Sequence, residues 1–292
     1  MKTYTFTVPK ENAGERLGLF LSSNVPMKLS NKAIKRMIDA KQCRVNETVE
    51  KFASYKVRGS DKIELVTYDQ STKENDPEST KIKVLFEDDH LIVINKPIAL
   101  TCLSSNFEAR LDLSPLYRVH RLDRDTTGAM ILAKTKKAKL GIEQLFRKRE
   151  VHKLYHALCI GIFNQKVLEI ENYLAPVCEY DGGKIFKSVP EEKGRFAKSI
   201  FRIKETKGDY AFVHCKTITS VTHQIRVHAY ENQMPVVGDF QYARNQKFHS
   251  FAKRPMLHAY NLEFIHPITS EKITITAPYA EDFRNAKETI FG

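Results

Sequence analysis

The sequence predicts an α+β protein: a mixed, largely antiparallel sheet with flanking helices makes up a large carboxy-terminal part, and a small α/β unit precedes it. Three observations carry this. Residues 81–292 alternate β-rich runs with few helical ones, residues 70–80 (Q-S-T-K-E-N-D-P-E-S-T) hold no large apolar side chain, and 292 residues at 42% hydrophobic content suffice for one sizeable core plus a small accessory domain. The polar stretch reads as a solvated linker over 70–80, so domains are expected over 1–69 and 81–292.

In the first part, Gly14-Glu15-Arg16-Leu17 opens a short helical pattern. Ser30 is an N-cap candidate for a helix over 32–40, whose Ile34, Met37 and Ile38 form an apolar stripe while Lys32, Lys35 and Arg36 face outward. Residues 43–46 and 62–66 read as short strands, the second entered by the turn Arg58-Gly59-Ser60-Asp61. In the second part, residues 90–95 have a buried-strand pattern stopped by Lys96-Pro97. Residues 136–150 predict a helix: Ala138, Ile142, Leu145 and Phe146 share a face despite Gly141, and the basic last turn Arg147-Lys148-Arg149 suits the helix dipole. Strands are expected over 153–160, 198–203, 210–217, 261–266 and 272–277, and there is no internal repeat.

Net charge is +12, and residues 1–68 supply +6 of it, 13 basic against 7 acidic. Such an excess attracts a polyanion through counterion release at phosphates, so a polyanion is the expected partner and the first unit its main electrostatic contact, with Lys32, Lys35, Arg36 and Arg44 the candidate contacts. The five cysteines are scattered with no C-x-x-C pair, which points away from zinc or redox chemistry. No apolar run reaches the ~20 residues of a membrane span and the amino terminus lacks the apolar core of a secretion signal, so a soluble, cytoplasmic protein is expected; the expected oligomeric state is a monomer.

The chemistry concentrates in His120 to Gly128, H-R-L-D-R-D-T-T-G, which packs two arginines and two carboxylates ahead of the apolar run Ala129-Met130-Ile131-Leu132-Ala133. A polar turn feeding a buried strand holds a charged side chain at the lip of a cleft, and Asp123 is the first candidate for chemistry. Histidine pairs His152/His156 and His223/His228 are no metal site, because no carboxylate or cysteine joins them at ligand spacing. A glycosidase-like hydrolase would need a second carboxylate facing Asp123, and Asp125, two residues along a turn, gives no assurance of that geometry.

Two resemblances follow from these residues. Ser30, Met37-Ile38 and Val45-Asn46 make the first unit similar, over 15–66, to the S-four-type RNA-binding module, with departures at Asn31, Lys41, Cys43 and Glu47, the last in place of a glycine. Asn95-Lys96-Pro97, H-R-L-D-x-x-T-T-G followed by Ala133-Lys134, Lys153-Leu154-Tyr155-His156-Ala157 and His223-Gln224-Ile225-Arg226-Val227-His228 together resemble the RluA-type RNA pseudouridine synthases, over nearly all of 82–277.

That second resemblance implies isomerisation of a uridine in structured RNA, with large-subunit ribosomal RNA favoured and transfer RNA the alternative. It makes Asp123 the catalytic carboxylate, either attacking carbon 1′ of the ribose or removing a proton from carbon 2′. It sets Arg226 against Asp123 as a bidentate partner that keeps it ionised in a dry site, and Tyr155 against the uracil. Arg121, His120, Thr127 and Gln224 are the implied substrate contacts, Arg121 filling the space left when the nucleotide is extruded from its stack. The reaction has no net redox change and transfers no outside group, so neither cofactor nor metal is required. The chain departs from the family at Ser220-Val221, where glycine-arginine is usual, and at Ile98-Ala99, where alanine-glycine is usual and the turn becomes stiffer. A non-catalytic RNA-binding or ribosome-assembly factor that kept the fold is the reading from another class.

Overall fold

A computed structural model describes residues 2–26, 31–39, 42–50, 52–67, 82–180, 183–243 and 251–292. The chain divides into two compact units, Met1–Asp76 and Pro77–Gly292. The linker expected over 70–80 and the N-cap expected at Ser30 lie outside the described residues.

The first unit runs β1 (Lys2–Thr7), α1 (Leu17–Asn24), α2 (Asn31–Asp39), β2 (Cys43–Val45), β3 (Thr48–Val49) and β4 (Lys62–Thr67), with its strands in the order β1-β4-β2-β3, all antiparallel. Leu17, Phe20 and Leu21 of α1 and Ile34 and Ile38 of α2 close over Cys43, Val45, Ile63 and Leu65, so the apolar stripe read from the sequence is the face that the sheet buries. Lys35 is exposed, whereas the side chains of Lys32 and Arg36 lie outside the described residues. Arg44 is exposed on β2 and sits opposite Glu64 of β4, which offsets part of its charge. Asn46 and Glu47 turn the β2–β3 hairpin at φ 48° and 67°. Asn46 tolerates this because its amide donates to Asp61 (2.9 Å) and accepts from the Lys62 N–H (2.9 Å), but Glu47 holds the same left-handed backbone where the S-four-type sequence pattern has glycine.

The second unit contains β5 (Lys83–Glu87), β6 (Leu91–Lys96), α3 (Ser104–Leu111), β7 (Tyr117–Arg118), β8 (Thr127–Ala133), α4 (Lys136–Lys148), β9 (His152–Ile160), β10 (Val167–Tyr180), β11 (Gly183–Val189), β12 (Arg195–Lys207), β13 (Tyr210–Thr217), α5 (Gln224–Glu231), β14 (Leu257–Ile265), β15 (Lys272–Thr276) and α6 (Glu281–Phe291). Its sheet has the order β11-β10-β12-β13-β9-β14-β8-β6-β5, with β15 on β14 and β7 on β8. Among the described residues every pairing is antiparallel except β8 with β14, where Thr127 and Gly128 lie beside His258 and Ala259. This is the mixed, largely antiparallel α+β arrangement that the sequence predicts.

Both faces of the central strands are covered, which is why β8 reads as a continuous apolar run rather than an alternating one. Ala129, Ile131 and Ala133 pack under Ala138 and Ile142 of α4, while Met130 and Leu132 pack with Leu100, Phe107 and Leu122. Along β9, Ala157 and Cys159 meet Ile225 and Ala229 of α5, and Leu158 meets Phe283, Ala286 and Ile290 of α6. Tyr155 joins the α5 cluster and the cluster containing Leu122, so it shares a face with both α5 and the loop that carries Asp123.

Gly141, the apparent flaw in α4, allows close packing: a Cβ there would stand 2.5 Å from Pro267 Cβ. The β10–β11 hairpin, α3, α5 and α6 are not among the elements read from the sequence. Among the described residues no helix is long and apolar enough to cross a membrane.

Ala99 follows the same rule as Glu47, since it adopts φ 57° in the turn after Pro97 where the related family carries glycine. A Cβ in that region costs roughly 1–2 kcal/mol, offset in part by glycine's greater freedom in the unfolded chain. Glu47→Gly and Ala99→Gly are each expected to raise the free energy of unfolding by about 0.5–1 kcal/mol in denaturant titrations.

Candidate active site

The loop 120–126 is held from below by buried cations. Lys96, fully buried at the end of β6, donates its ammonium protons to the carbonyls of Pro97 (2.9 Å), Leu100 (3.1 Å) and Arg124 (2.9 Å), tying the 97–100 turn to the loop. Burial pulls its pKa down to about 8 against the opposing pull of Cys102, Asp125 and Asp123. Arg254 donates to the Asp125 carbonyl (3.0 Å) and grips Asp282 with two bonds (2.6 and 2.8 Å). At the strand entry, Gly128 has φ 113°, and a Cβ there would stand 2.2 Å from the Ala259 carbonyl oxygen. Only glycine lets β8 approach β14 this closely, which accounts for the last residue of the H-R-L-D-R-D-T-T-G segment.

So anchored, the loop presents Asp123 to α5. Asp123 keeps 18% of its side chain exposed, and one oxygen lies 3.4 Å from Arg226 Nη1 and 3.9 Å from His223 Nε2. The pairing of Asp123 with Arg226 exists, but the bidentate geometry expected for it does not. Arg226 spends Nε and Nη2 on Asp239, at 2.7 Å each, and a second Nη2 bond on Gln241 (2.7 Å). A guanidinium has five N–H groups, so only the two on Nη1 remain for Asp123. Burial works against the Arg226 charge, yet Asp239, then Asp123 and Tyr242, outweigh it and push its pKa up: this arginine stays a cation.

Two rings complete the surroundings. Tyr242 lies under Arg226, its ring centre 5.0 Å from the guanidinium carbon, and its hydroxyl accepts from the Phe186 N–H (3.0 Å). His223 Nε2 faces the Asp123 carboxylate, so the ring proton is assigned to Nε2 and Nδ1 accepts from the Tyr242 hydroxyl (2.8 Å). Burial lowers the His223 pKa more than Asp123 raises it, so the ring is neutral. On β9, burial first and the Asp123 charge second push Tyr155 above its ordinary pKa, so it meets its surroundings as a neutral phenol.

The remaining candidates divide. Arg121 is exposed, with no hydrogen bond or ion pair among the described residues, and is free to meet a ligand. His120 stacks on Phe146 (4.9 Å) and its Nε2 accepts the Ile131 N–H (2.8 Å). The Thr127 hydroxyl bonds His258 Nδ1 (2.8 Å), whose Nε2 reaches the Ala277 carbonyl (3.2 Å). Gln224 uses its whole capacity internally, donating to Lys198 O and Ser199 Oγ and accepting from Thr219 Oγ1 and the Val221 N–H. These three hold the scaffold, because each lies where a buried backbone or side-chain group needs its partner. Asp125, the conceivable second carboxylate, forms a two-pronged pair with its neighbour Arg124 (3.0 and 2.9 Å).

Ser220, one of the departures, has a use of its own. The buried Lys153 donates to its hydroxyl (2.6 Å) and to the Thr219 carbonyl (3.1 Å), and burial lowers this lysine to about 8. Sequence reasoning passed over Asp239, Gln241 and Tyr242. Their one signal is a carboxylate ending the apolar run Met234-Pro235-Val236-Val237-Gly238, which a charged side chain leaves only if something buried pairs with it.

A family profile described as RNA pseudouridylate synthase matches residues 90–231. Ribosomal large subunit pseudouridine synthase C of Haemophilus ducreyi is 31% identical over 94% of this chain and 91% of its own length. Ribosomal large subunit pseudouridine synthase D of Nitrosomonas europaea is 30% identical over 96% and 86%. Among solved structures, human RNA pseudouridylate synthase domain containing 1 superposes with a TM-score of 0.59 at 24% identity, covering 71% of this chain and 86% of that one, a likeness of fold. This chain therefore belongs to the RNA pseudouridine synthase family, as its motifs imply: an isomerase that converts uridine in RNA to its carbon-linked isomer.

Histidines of the second unit set its acid limit. Burial drives His120 and His156 down to about 3 and His228 and His258 to about 4. Below pH 6.5 the unfolded chain binds protons that these folded rings refuse, so stability is lost as pH falls from 6.5 toward 3. The urea midpoint is expected to drop steadily between pH 6.5 and 4, with a shallower slope in His120→Gln, whose amide oxygen accepts the Ile131 N–H without titrating.

Proposed function

We propose that this chain isomerises a uridine in structured large-subunit ribosomal RNA, with Asp123 as the essential carboxylate, Arg226 as its charge partner and Tyr155 against the uracil. The observation that carries the assignment is the state of Asp123: it is a part-exposed carboxylate in contact with a buried, permanently charged guanidinium and close enough to the half-buried Tyr155 for its charge to act on the phenol. The ribosomal target is supported by the names of relatives that match over nearly their whole length.

The chemistry needs the carboxylate ionised. Attack on carbon 1′ and proton removal from carbon 2′ both start from a lone pair on Asp123, beside which Arg226 places a fixed positive charge. The bond from nitrogen 1 to carbon 1′ breaks, the uracil turns, carbon 5 bonds to carbon 1′ and loses its proton to solvent, and nitrogen 1 takes a proton up, so the product is an isomer of the substrate. Tyr155 offers a flat apolar ring for the turned base and a hydroxyl that stays protonated. Arg121, unpaired at the rim, suits the gap left by the extruded nucleotide, and extrusion costs roughly a few kcal/mol that contacts elsewhere must offset. His120, Thr127 and Gln224 act through the scaffold.

RNA bearing tritium on carbon 5 of uridine provides the test. The wild-type protein is expected to release tritium and Asp123→Asn none. Equal release from both removes Asp123 from its role, and no release from either on ribosomal RNA favours the non-catalytic assembly factor.

The first unit, read as an S-four-type module over 1–69, adds RNA affinity in this scheme through Lys32, Lys35, Arg36 and Arg44. Lys35→Glu with Arg44→Glu is expected to weaken RNA binding about tenfold or more at low salt and to reduce the log-log salt slope by about 2. Single-turnover release at saturating protein should stay at the wild-type rate.

A further inference from the structure

Arg226 divides its hydrogen bonds unequally between two carboxylates. Asp239, 1% exposed, takes Nε and Nη2 at 2.7 Å, whereas Asp123 receives one contact of 3.4 Å from Nη1. Were the planar fork instead turned on Asp123, each of its oxygens would accept a charge-assisted hydrogen bond, leaving one lone pair apiece on a less basic and less nucleophilic carboxylate toward the ribose. Gln241 takes the second Nη2 proton and Tyr242 lies under the guanidinium plane, so the fork is fixed in its present orientation from three sides.

We propose that Asp239 is a positioning residue of the isomerisation, holding the Arg226 fork so that Asp123 has a neighbouring positive charge but is not clamped by it. This rests on the reading of Asp123 as the essential carboxylate. An arginine–carboxylate pair this buried also serves the fold, and Gln241 meets one more donor of the same cation; what the fold alone does not require is that the Nη1 edge be left toward the part-exposed Asp123.

The consequences follow from charge and geometry. Without the Asp239 charge, Arg226 is free to swing its fork onto Asp123, and one nearby negative charge is gone. The groups facing Asp123 that remain are Arg226, His223 and Lys96 among the bases and Tyr155 and Tyr242 among the phenols. With fewer negative and as many positive neighbours, the carboxylate ionises more readily, so activity should persist to lower pH even as its plateau falls.

Single-turnover tritium release from carbon-5-labelled RNA at saturating protein, measured from pH 5 to 8, separates the two roles. Asp239→Asn is expected to slow release about tenfold or more with RNA affinity unchanged, and to move the acid limb of the rate profile to lower pH. Asp239→Glu, which retains the charge, should keep the wild-type acid limb and recover part of the rate. Wild-type release by Asp239→Asn overturns the proposal, as does an equal loss in both variants with the acid limb unmoved. If Asp239→Asn does not fold, Gln241→Met decides: slower release at unchanged RNA affinity supports the role, and a wild-type rate refutes it. Asp123→Asn runs alongside, because its full activity would remove the parent assignment, whereas its inactivity beside a normal Asp239→Asn removes only this one.

Discussion

A permanently charged guanidinium buried beneath a part-exposed carboxylate is the constraint around which the second unit is organised. Arg226 is nearly inaccessible, and a cation there is tolerable only when most of its donors are met. Asp239 and Gln241 meet three of five, and the aromatic face of Tyr242 lies beneath. What remains points at Asp123. Charge complementarity inside the protein thus yields an outward-facing carboxylate with a strong positive neighbour but a weak hydrogen bond to it, a condition that suits a group required to react.

The same logic extends to the backbone around the site. Lys96 and Lys153 are buried lysines whose acceptors are mainly carbonyl oxygens of loops, and each staples a loop that carries site residues: Lys96 the 123–125 turn, Lys153 the 219–220 segment before α5. Loop carbonyls lack the ladder partners that strands supply, and an ammonium with three donors satisfies several at once. The histidines His120 and His258 do comparable work in neutral form, one accepting a strand N–H and the other bridging Thr127 to the Ala277 carbonyl. Motif residues that look like ligand contacts in one dimension are here the fittings that keep a short charged loop in place.

Strand pairing supplies the remaining geometry. Because β8 touches β14 in parallel at its first two residues, and β14 lies next to β9, the loop ahead of β8 opens beside Tyr155. Gly128 makes this possible by backbone proximity alone. Where the sequence patterns this chain resembles have glycine, at Glu47 and Ala99, the backbone is left-handed and the side chain is accommodated with strain rather than by a new turn.

Much was legible without coordinates. Periodicity and punctuation marked α2, α4 and most central strands, since those elements bury one face or are apolar throughout, and the motif residues pointed to Asp123, Tyr155 and Arg226. Helix α5 was hidden because Gln224, Ile225, Arg226, Val227, His228 and Ala229 are all buried, which erases the amphipathic period. The β10–β11 hairpin, half-exposed and interrupted by Pro176 with a register shift beside it, reads as loop, while α6 did carry a visible stripe in Phe283, Ala286 and Ile290. The sequence by itself therefore determined the chemical groups and the class of fold, because residue types, spacing and burial periodicity are properties of the chain. Which acid the arginine grips, and which polar side chains remain free to meet RNA, only the tertiary structure decided, because hydrogen-bond capacity is divided among neighbours that lie far apart in the sequence.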